Sequence, residues 1–206
     1  MKFLELAGSY SKGPEWTVIR DIPVRNGVVY DLTKLPIPFI EDESLDGVYS
    51  EHFIEHMTKE QGIQIFKEMY RIMKPGSVIR TVWPSKDFID YLNSETDLSN
   101  DKFVNLYTNC IIIPENVFKH EYYNNINGID DMNKQQKVAL RLLHQEGEHK
   151  HLWYKQEMID VLKEIGFKNV KEEKYQESRL SNFNNIEHKQ EMRPLHSTII
   201  EAEKWK

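Results

Sequence analysis

Cysteine is almost missing from this chain: Cys110 stands alone among 206 residues. No intrachain disulfide can form, which suits a reducing cytoplasm, and the expected role of Cys110 is a buried thiol. Long apolar runs are missing too. A membrane-spanning helix needs roughly 20 apolar residues in a row, and no such stretch exists. The first residues also lack a leader pattern, because Lys2 is followed almost at once by Glu5. Basic runs are equally scarce, and the net charge is -6, so neither nucleic acid nor a membrane surface is expected as a partner. A soluble, cytoplasmic protein is the expectation, with oligomeric state left open.

The composition that remains, 39% hydrophobic, 29% charged and 11% aromatic, is that of one globular domain with a full core. Short apolar strands broken by glycine, proline and acidic turns are expected at Phe3–Ala7, Thr17–Ile22, Val28–Leu32, Leu45–Ser50 and Val78–Trp83. Between the last two lies a helix. Thr58 and Gln61 have capping-box spacing, Ile63, Phe66, Tyr70 and Met73 recur at helical intervals, and Lys74-Pro75-Gly76 stops the run. Strand, helix, strand at this spacing reads as a right-handed parallel crossover.

Connections among the first three strands are too short for full crossover helices. The chain starts directly on its first strand, so a preceding helix is not expected. From 85 to 147 the sequence turns asparagine-rich and helical, with amphipathic stretches at Lys86–Leu92 and Gln135–Leu143. It reads as an insertion, or lid, over the carboxyl end of the sheet. A helix over Gln156–Ile165 closed by Gly166 follows, then strands Phe167–Tyr175 and Ser197–Trp205. The fold class is therefore α/β: a Rossmann-like, mostly parallel sheet with an antiparallel last strand, a shortened N-terminal half and a helical insertion after strand five.

Open parallel sheets bind ligands beyond the carboxyl ends of their strands. Here those ends carry Glu5-Leu6-Ala7-Gly8-Ser9, Asp21, Asp31-Leu32 and Ser50-Glu51-His52. Gly8 allows close backbone approach, and an acid after strand two accepts hydrogen bonds from ribose hydroxyls. Arg20 or Asp21 occupies that place, depending on register.

The run from Tyr30 through Leu35-Pro36-Ile37-Pro38-Phe39 and Leu45-Asp46-Gly47-Val48-Tyr49-Ser50 to His52 and Glu55-His56 resembles the middle of class I S-adenosylmethionine-dependent methyltransferases. Lys67 to Gly76 resembles the helix and turn before their fifth strand. A small predicted-methyltransferase subfamily, type 11-like, also carries the His149, His151, Tyr154 and Gly166-Phe167 pattern seen here. The resemblance implies an S-adenosylmethionine cofactor with S-adenosylhomocysteine as product. Glu5, Ala7, Gly8 and Ser9 would face its methionine part, Asp21 its ribose, Asp31 and Leu32 its adenine, and Ser50, Glu51 and His52 the space beneath the sulfonium. The first loop departs from the family, which usually has two or three glycines where this chain has Ala7, Gly8 and Ser9.

A sulfonium methyl is already activated, so such an enzyme aligns a nucleophile and, for hydroxyls, removes a proton. Histidine suits that task at neutral pH, which makes His52, His149 and His151 the candidates. The acceptor expected is a small or medium polar molecule, such as a sugar or glycan precursor. A non-catalytic binding module on the same fold is the alternative. Two His/Glu clusters have metal-like composition, Glu51-His52 with Glu55-His56 at helical spacing and His144, Glu146, His149 and His151 in a loop. The first coincides with cofactor-facing and packing positions and the second lacks cysteine, so no metal is expected at either. Lys119, His120, Tyr122 and Tyr123 serve either to cap the insertion or to contact substrate.

Overall fold

In a computed structural model the chain builds one seven-stranded sheet. The structure describes residues 2–8, 12–25, 27–94, 101–110, 122–123, 129, 131–189 and 193–205, leaving out the side chains of 107–110 and 134–135. The strands are β1 (Phe3–Leu6), β2 (Trp16–Arg20), β3 (Gly27–Val29), β4 (Leu45–Glu51), β5 (Met73–Pro84), β6 (Phe167–Glu172) and β7 (Ser197–Lys204), in the order β3-β2-β1-β4-β5-β7-β6. The first five run parallel, and β7 is antiparallel to both its neighbours.

Several strand ends differ from the sequence expectation. β3 stops at Val29 instead of Leu32, because Asp31 accepts hydrogen bonds from the Thr33 amide (3.0 Å) and hydroxyl (2.6 Å) and turns the chain there. β6 stops at Glu172, short of Tyr175. β5 begins at Met73, so Lys74-Pro75-Gly76 is an irregular start to that strand, with the β4 register shifting between Leu45 and Gly47.

Helix α1 (Lys59–Ile72) starts on the expected capping box, with the Gln61 amide donating to Thr58. Its buried stripe is Gly62, Ile65, Phe66, Met69 and Ile72. Ile63 and Tyr70, expected on that stripe, are half-buried at its margin. The stripe is turned because a Cβ on Gly62 would sit 2.8 Å from the Trp153 ring, so the helix rests there directly on that indole.

The insertion holds α2 (Lys86–Ser94), α3 (Lys102–Cys110) and α4 (Lys134–His144), followed by a short helical turn at Gln145–Gly147. These helices share a small core of Ile89, Leu92, Phe103, Val138, Ala139 and Leu142. α2 is tied down by hydrogen bonds from Lys86 N to Trp153 O (3.1 Å), Lys155 N to Asp87 (2.7 Å) and Tyr154 OH to Asp90 (2.8 Å). Tyr122 and Tyr123 contact His144 (3.0 Å) and Glu146 (3.2 Å), bracing the end of α4. Lys119, His120 and the side chain of Cys110 lie outside the described residues.

α5 (Lys155–Ile165) ends at Gly166, whose φ of 120° is the left-handed stop anticipated. α1 and α5 pack Phe66, Met69, Met158 and Leu162 onto one face of the sheet, against Leu4, Leu6, Val48, Ile79 and Ile200. No helix of the described residues is long and apolar enough to cross a membrane.

The other face has a different cover. Among the described residues, the connections β1–β2, β2–β3 and β3–β4 contain no helix. A strap between β6 and β7 crosses this face instead, pressing Phe183 and Ile186 onto Phe3, Trp16, Tyr49, Val78, Val82 and Ile199. Fully buried Arg80 in β5 anchors it, with ion pairs to Glu187 and Glu201 and hydrogen bonds to the Glu177 and Lys174 carbonyls (both 2.9 Å). Arg179 adds a second contact to Glu201 (3.0 Å).

Candidate active site at the carboxyl ends of the strands

A pocket of about 480 Å³ opens where β1, β2, β3 and β4 end, within the roughly 300–1,000 Å³ usual for small-molecule sites. It is lined by Ala7, Arg20, Asp21, Ile22, Tyr30, Asp31, Leu32, Thr33, His52, Phe53, His56, Met57 and Glu148. The sheet order explains its place. β1 lies between β2 and β4, so the chain leaves the sheet in opposite directions at this point and a crevice opens beyond it.

Two wall residues are held in the left-handed region, Ala7 with φ 56° and His52 with φ 48°. Each follows the last residue of a strand and turns the backbone sharply at the crevice, a conformation that costs a side-chain-bearing residue about 1–2 kcal/mol. Ala7 N donates to Ile19 O (2.7 Å) and His52 N to Val82 O (2.9 Å), which fixes both turns to neighbouring strands.

Of the expected cofactor residues, Ala7, Asp21, Asp31, Leu32 and His52 meet in this pocket. Arg20 lines it beside Asp21, and its buried Nε has no hydrogen-bond partner. The Arg20-or-Asp21 alternative thus becomes a pair. Asp31 is drawn below the usual carboxylate range by its hydrogen bonds from Thr33. Ser9 lies outside the described residues.

Glu5, Gly8, Ser50 and Glu51 do not line the pocket. Glu5 points to the strap face, where Lys12 lies 3.2 Å away, and burial raises its pKa to about 6 despite that cation. Gly8 has no room for a side chain: a Cβ there would lie 2.3 Å from the Glu5 carboxyl carbon. Ser50 turns to the helical face and bonds Thr81 (3.0 Å). Glu51 also faces the strap, accepting from Tyr49 OH (2.8 Å) and the His188 amide (3.1 Å).

His52, expected with His56 at helical spacing, is not on a helix. It follows β4, its Nε2 lies 2.9 Å from Ser197 Oγ, and Ile54–His56 form a single 3-10 turn. His151 lies 3.2 Å from Glu157 on α5 and does not line the pocket. His149 is buried, and its Nδ1 sits 2.6 Å from the Leu142 carbonyl oxygen.

Sequence reasoning did not foresee the group that forms beside the pocket. Glu55 is fully buried, and its two carboxylate oxygens have no hydrogen-bond partner. Three imidazoles surround it: His52 Nδ1 lies 3.4 Å from Oε1, and a donor atom of His56 and one of His149 lie within 4.8 Å of the carboxylate and of each other. Burial opposes its ionisation, yet these neighbours, His52 first, hold its carboxyl below the usual range. The signal was present in both His/Glu clusters. What the sequence could not show is that one member of the loop cluster folds onto the other cluster, through hydrogen bonds from Lys150 N (2.8 Å) and His151 N (3.2 Å) to Glu55 O.

A sheet of this order with a nucleoside-sized crevice across the ends of its first four strands is the class I methyltransferase fold. Residues 11–81 match the family described as Methyltransferase domain, a stretch that runs from the β1–β2 connection into β5. Among solved structures, a SAM-dependent methyltransferase from Archaeoglobus fulgidus is similar at TM-score 0.52 and 16% identity, over 98% of this chain and 86% of that one. A Haloferax volcanii protein, solved with the Trm112 methyltransferase activator and named there as a candidate methyltransferase, is similar at TM-score 0.56 and 10% identity, over 100% and 83%. Identities this low show the fold alone. Comparison with curated proteins gives no match.

Proposed function

We propose that this chain binds S-adenosylmethionine in the crevice and transfers its methyl group to a small or medium polar acceptor, a sugar or glycan precursor fitting the description. The observation that carries the reading is the meeting of Ala7, Asp21, Asp31, Leu32 and His52 around one pocket of suitable size. These residues suit the cofactor. Asp21 supplies an acceptor for ribose hydroxyls, Leu32 an apolar surface for adenine, and the sharp backbone turn at Ala7 a close approach for the methionine part. The cofactor supplies an activated methyl group; the protein aligns the acceptor and excludes water.

His52 is the expected catalytic histidine that lines the pocket, at the side reached by the insertion, so it is the one best placed to contact an acceptor. Glu148, at the end of the insertion, lines the same space and makes that segment part of the acceptor wall. A cytoplasmic protein needing neither nucleic acid nor membrane remains part of this reading.

Calorimetric titration with S-adenosylhomocysteine tests it. Saturable binding is expected, weakened about tenfold or more in Asp21→Ala, the effect of losing one charge-assisted hydrogen-bond acceptor. No heat at millimolar ligand contradicts the reading and favours the non-catalytic binding module, to which Ala7 in a left-handed turn and the filled space around Gly8 would then belong.

A further inference from the structure

We infer that Glu55, His56 and His149 form a binding site for one divalent transition-metal ion, Zn²⁺ by donor set, with an open coordination position facing the crevice. Two imidazoles and one carboxylate, with a further position free for water or substrate, are a recurrent Zn²⁺ donor set at sites that do chemistry.

Three observations carry the inference. Glu55 is 0% exposed, its Oε1 has only the His52 imidazole at 3.4 Å, and its Oε2 has no hydrogen-bond partner. A buried carboxylate in that condition is costly unless a cation or donors compensate it. Next, His149 is already set up as a ligand. A carbonyl can only accept, so the proton of His149 sits on Nδ1 and is donated to Leu142 O at 2.6 Å, leaving Nε2 with its lone pair. Metal-ligating histidines are commonly oriented by such a bond from the other ring nitrogen. Finally, the arrangement is built by backbone. The Glu55 carbonyl accepts from the Lys150 and His151 amides, which clamps the loop carrying His149 onto the turn carrying Glu55 and His56.

The donor atoms lie within 4.8 Å of one another. Ligands at about 2.0–2.2 Å from a tetrahedral Zn²⁺ stand about 3.4 Å apart, so binding requires the group to close by up to about an ångström. His56 lines the crevice as well, and this puts the open position on the side where an acceptor enters. That the ion polarises an acceptor oxygen rests on the methyltransferase reading; that it binds does not.

The test uses the full chain, without a histidine tag, stripped with chelator and titrated with Zn²⁺ by calorimetry. One ion per chain is expected, with affinity falling at least about tenfold in His56→Ala and in His149→Ala, and unchanged in His151→Ala. Co²⁺ substitution is expected to give a visible ligand-field spectrum that His56→Ala abolishes. His56 is only partly buried, so this variant keeps the test meaningful if His149→Ala or Glu55→Gln fails to fold. Weak, non-stoichiometric uptake, or binding that His56→Ala leaves unchanged, overturns the site. Binding of S-adenosylhomocysteine is measured separately on stripped protein, so either proposal can fail without the other.

Discussion

The two faces of the sheet are covered by different physical means. On one, α1 and α5 lay apolar stripes over Leu4, Leu6, Val48 and Ile79, and the contact is almost wholly hydrocarbon and aromatic. On the other, an irregular strap is held by a few apolar anchors and by buried charge: Arg80 with Glu187 and Glu201, Glu51 with the His188 amide, and Glu5 with Lys12. Helices satisfy their own backbone groups, whereas a strap must find partners elsewhere. The Arg80 guanidinium serves that need by donating to two strap carbonyls as well as to two carboxylates. The face with the shortened crossovers is thus closed by polar links to a distant segment.

The largest expected effect comes from breaking that link. Arg80→Ala leaves buried Glu187 without its cation and Glu201 with Arg179 alone, and is expected to cost about 3–5 kcal/mol, read as a lower urea midpoint. Combined replacement of Arg80, Glu187 and Glu201 by apolar residues of similar volume is expected to recover much of the loss; no recovery would mean that the strap depends on the carbonyl contacts more than on charge. The matching test of the helical face is Leu162→Ala, expected to cost about 2–5 kcal/mol through cavity formation, with no apolar rescue from the strap side.

A smaller effect is expected at Gly47, where the Phe183 ring of the strap rests against the sheet. A Cβ there would lie 2.8 Å from Phe183 and 3.1 Å from Phe3, so Gly47→Ala should cost about 1–3 kcal/mol by overpacking, measured by the same denaturation. If it is neutral, Phe183 is not seated as described.

Glu5 gives a pH test of the same face. Its folded pKa of about 6 stands above the ordinary 4.5, so the folded state holds more protons between these values and stability falls as pH rises through that window. Glu5→Gln is expected to stabilise the protein by up to about 2 kcal/mol at pH 7, with the gain vanishing below pH ~4.5. A gain that persists in acid would assign it to another cause. Least is expected of Ala7→Gly, which relieves the left-handed turn and should stabilise by no more than about 1 kcal/mol, seen as a small rise in melting temperature.

The helical face was legible in the sequence and the strapped face was not, for a physical reason. The Thr58-Gln61 capping box, the Lys86–Leu92 and Gln156–Ile165 patterns and the Gly166 stop are local signals, and each element formed where they placed it. The strap has no period. Phe183 and Ile186 are isolated apolar residues in a polar run, and Arg80 meets Glu187 and Glu201 across 107 and 121 positions, a pairing without a local trace. For the site, the strand ends locate Asp21, Asp31 and His52 at the crevice, whereas the alternation along the strands turns the acids of β1 and β4 away from it. Glu5 shares a face with Phe3, and Glu51 with Tyr49, so both acids belong to the strap side. What sets Glu55 apart within its His/Glu cluster, complete burial beside His149 from a distant loop, is a property of the folded state.

The most direct test of the crevice is a crystal of the full chain grown with S-adenosylhomocysteine. The account predicts the ribose hydroxyls within hydrogen-bond reach of Asp21, the adenine against Leu32 and the sulfur turned toward His52. A nucleoside bound away from these three residues, in a protein that keeps this fold, would contradict it.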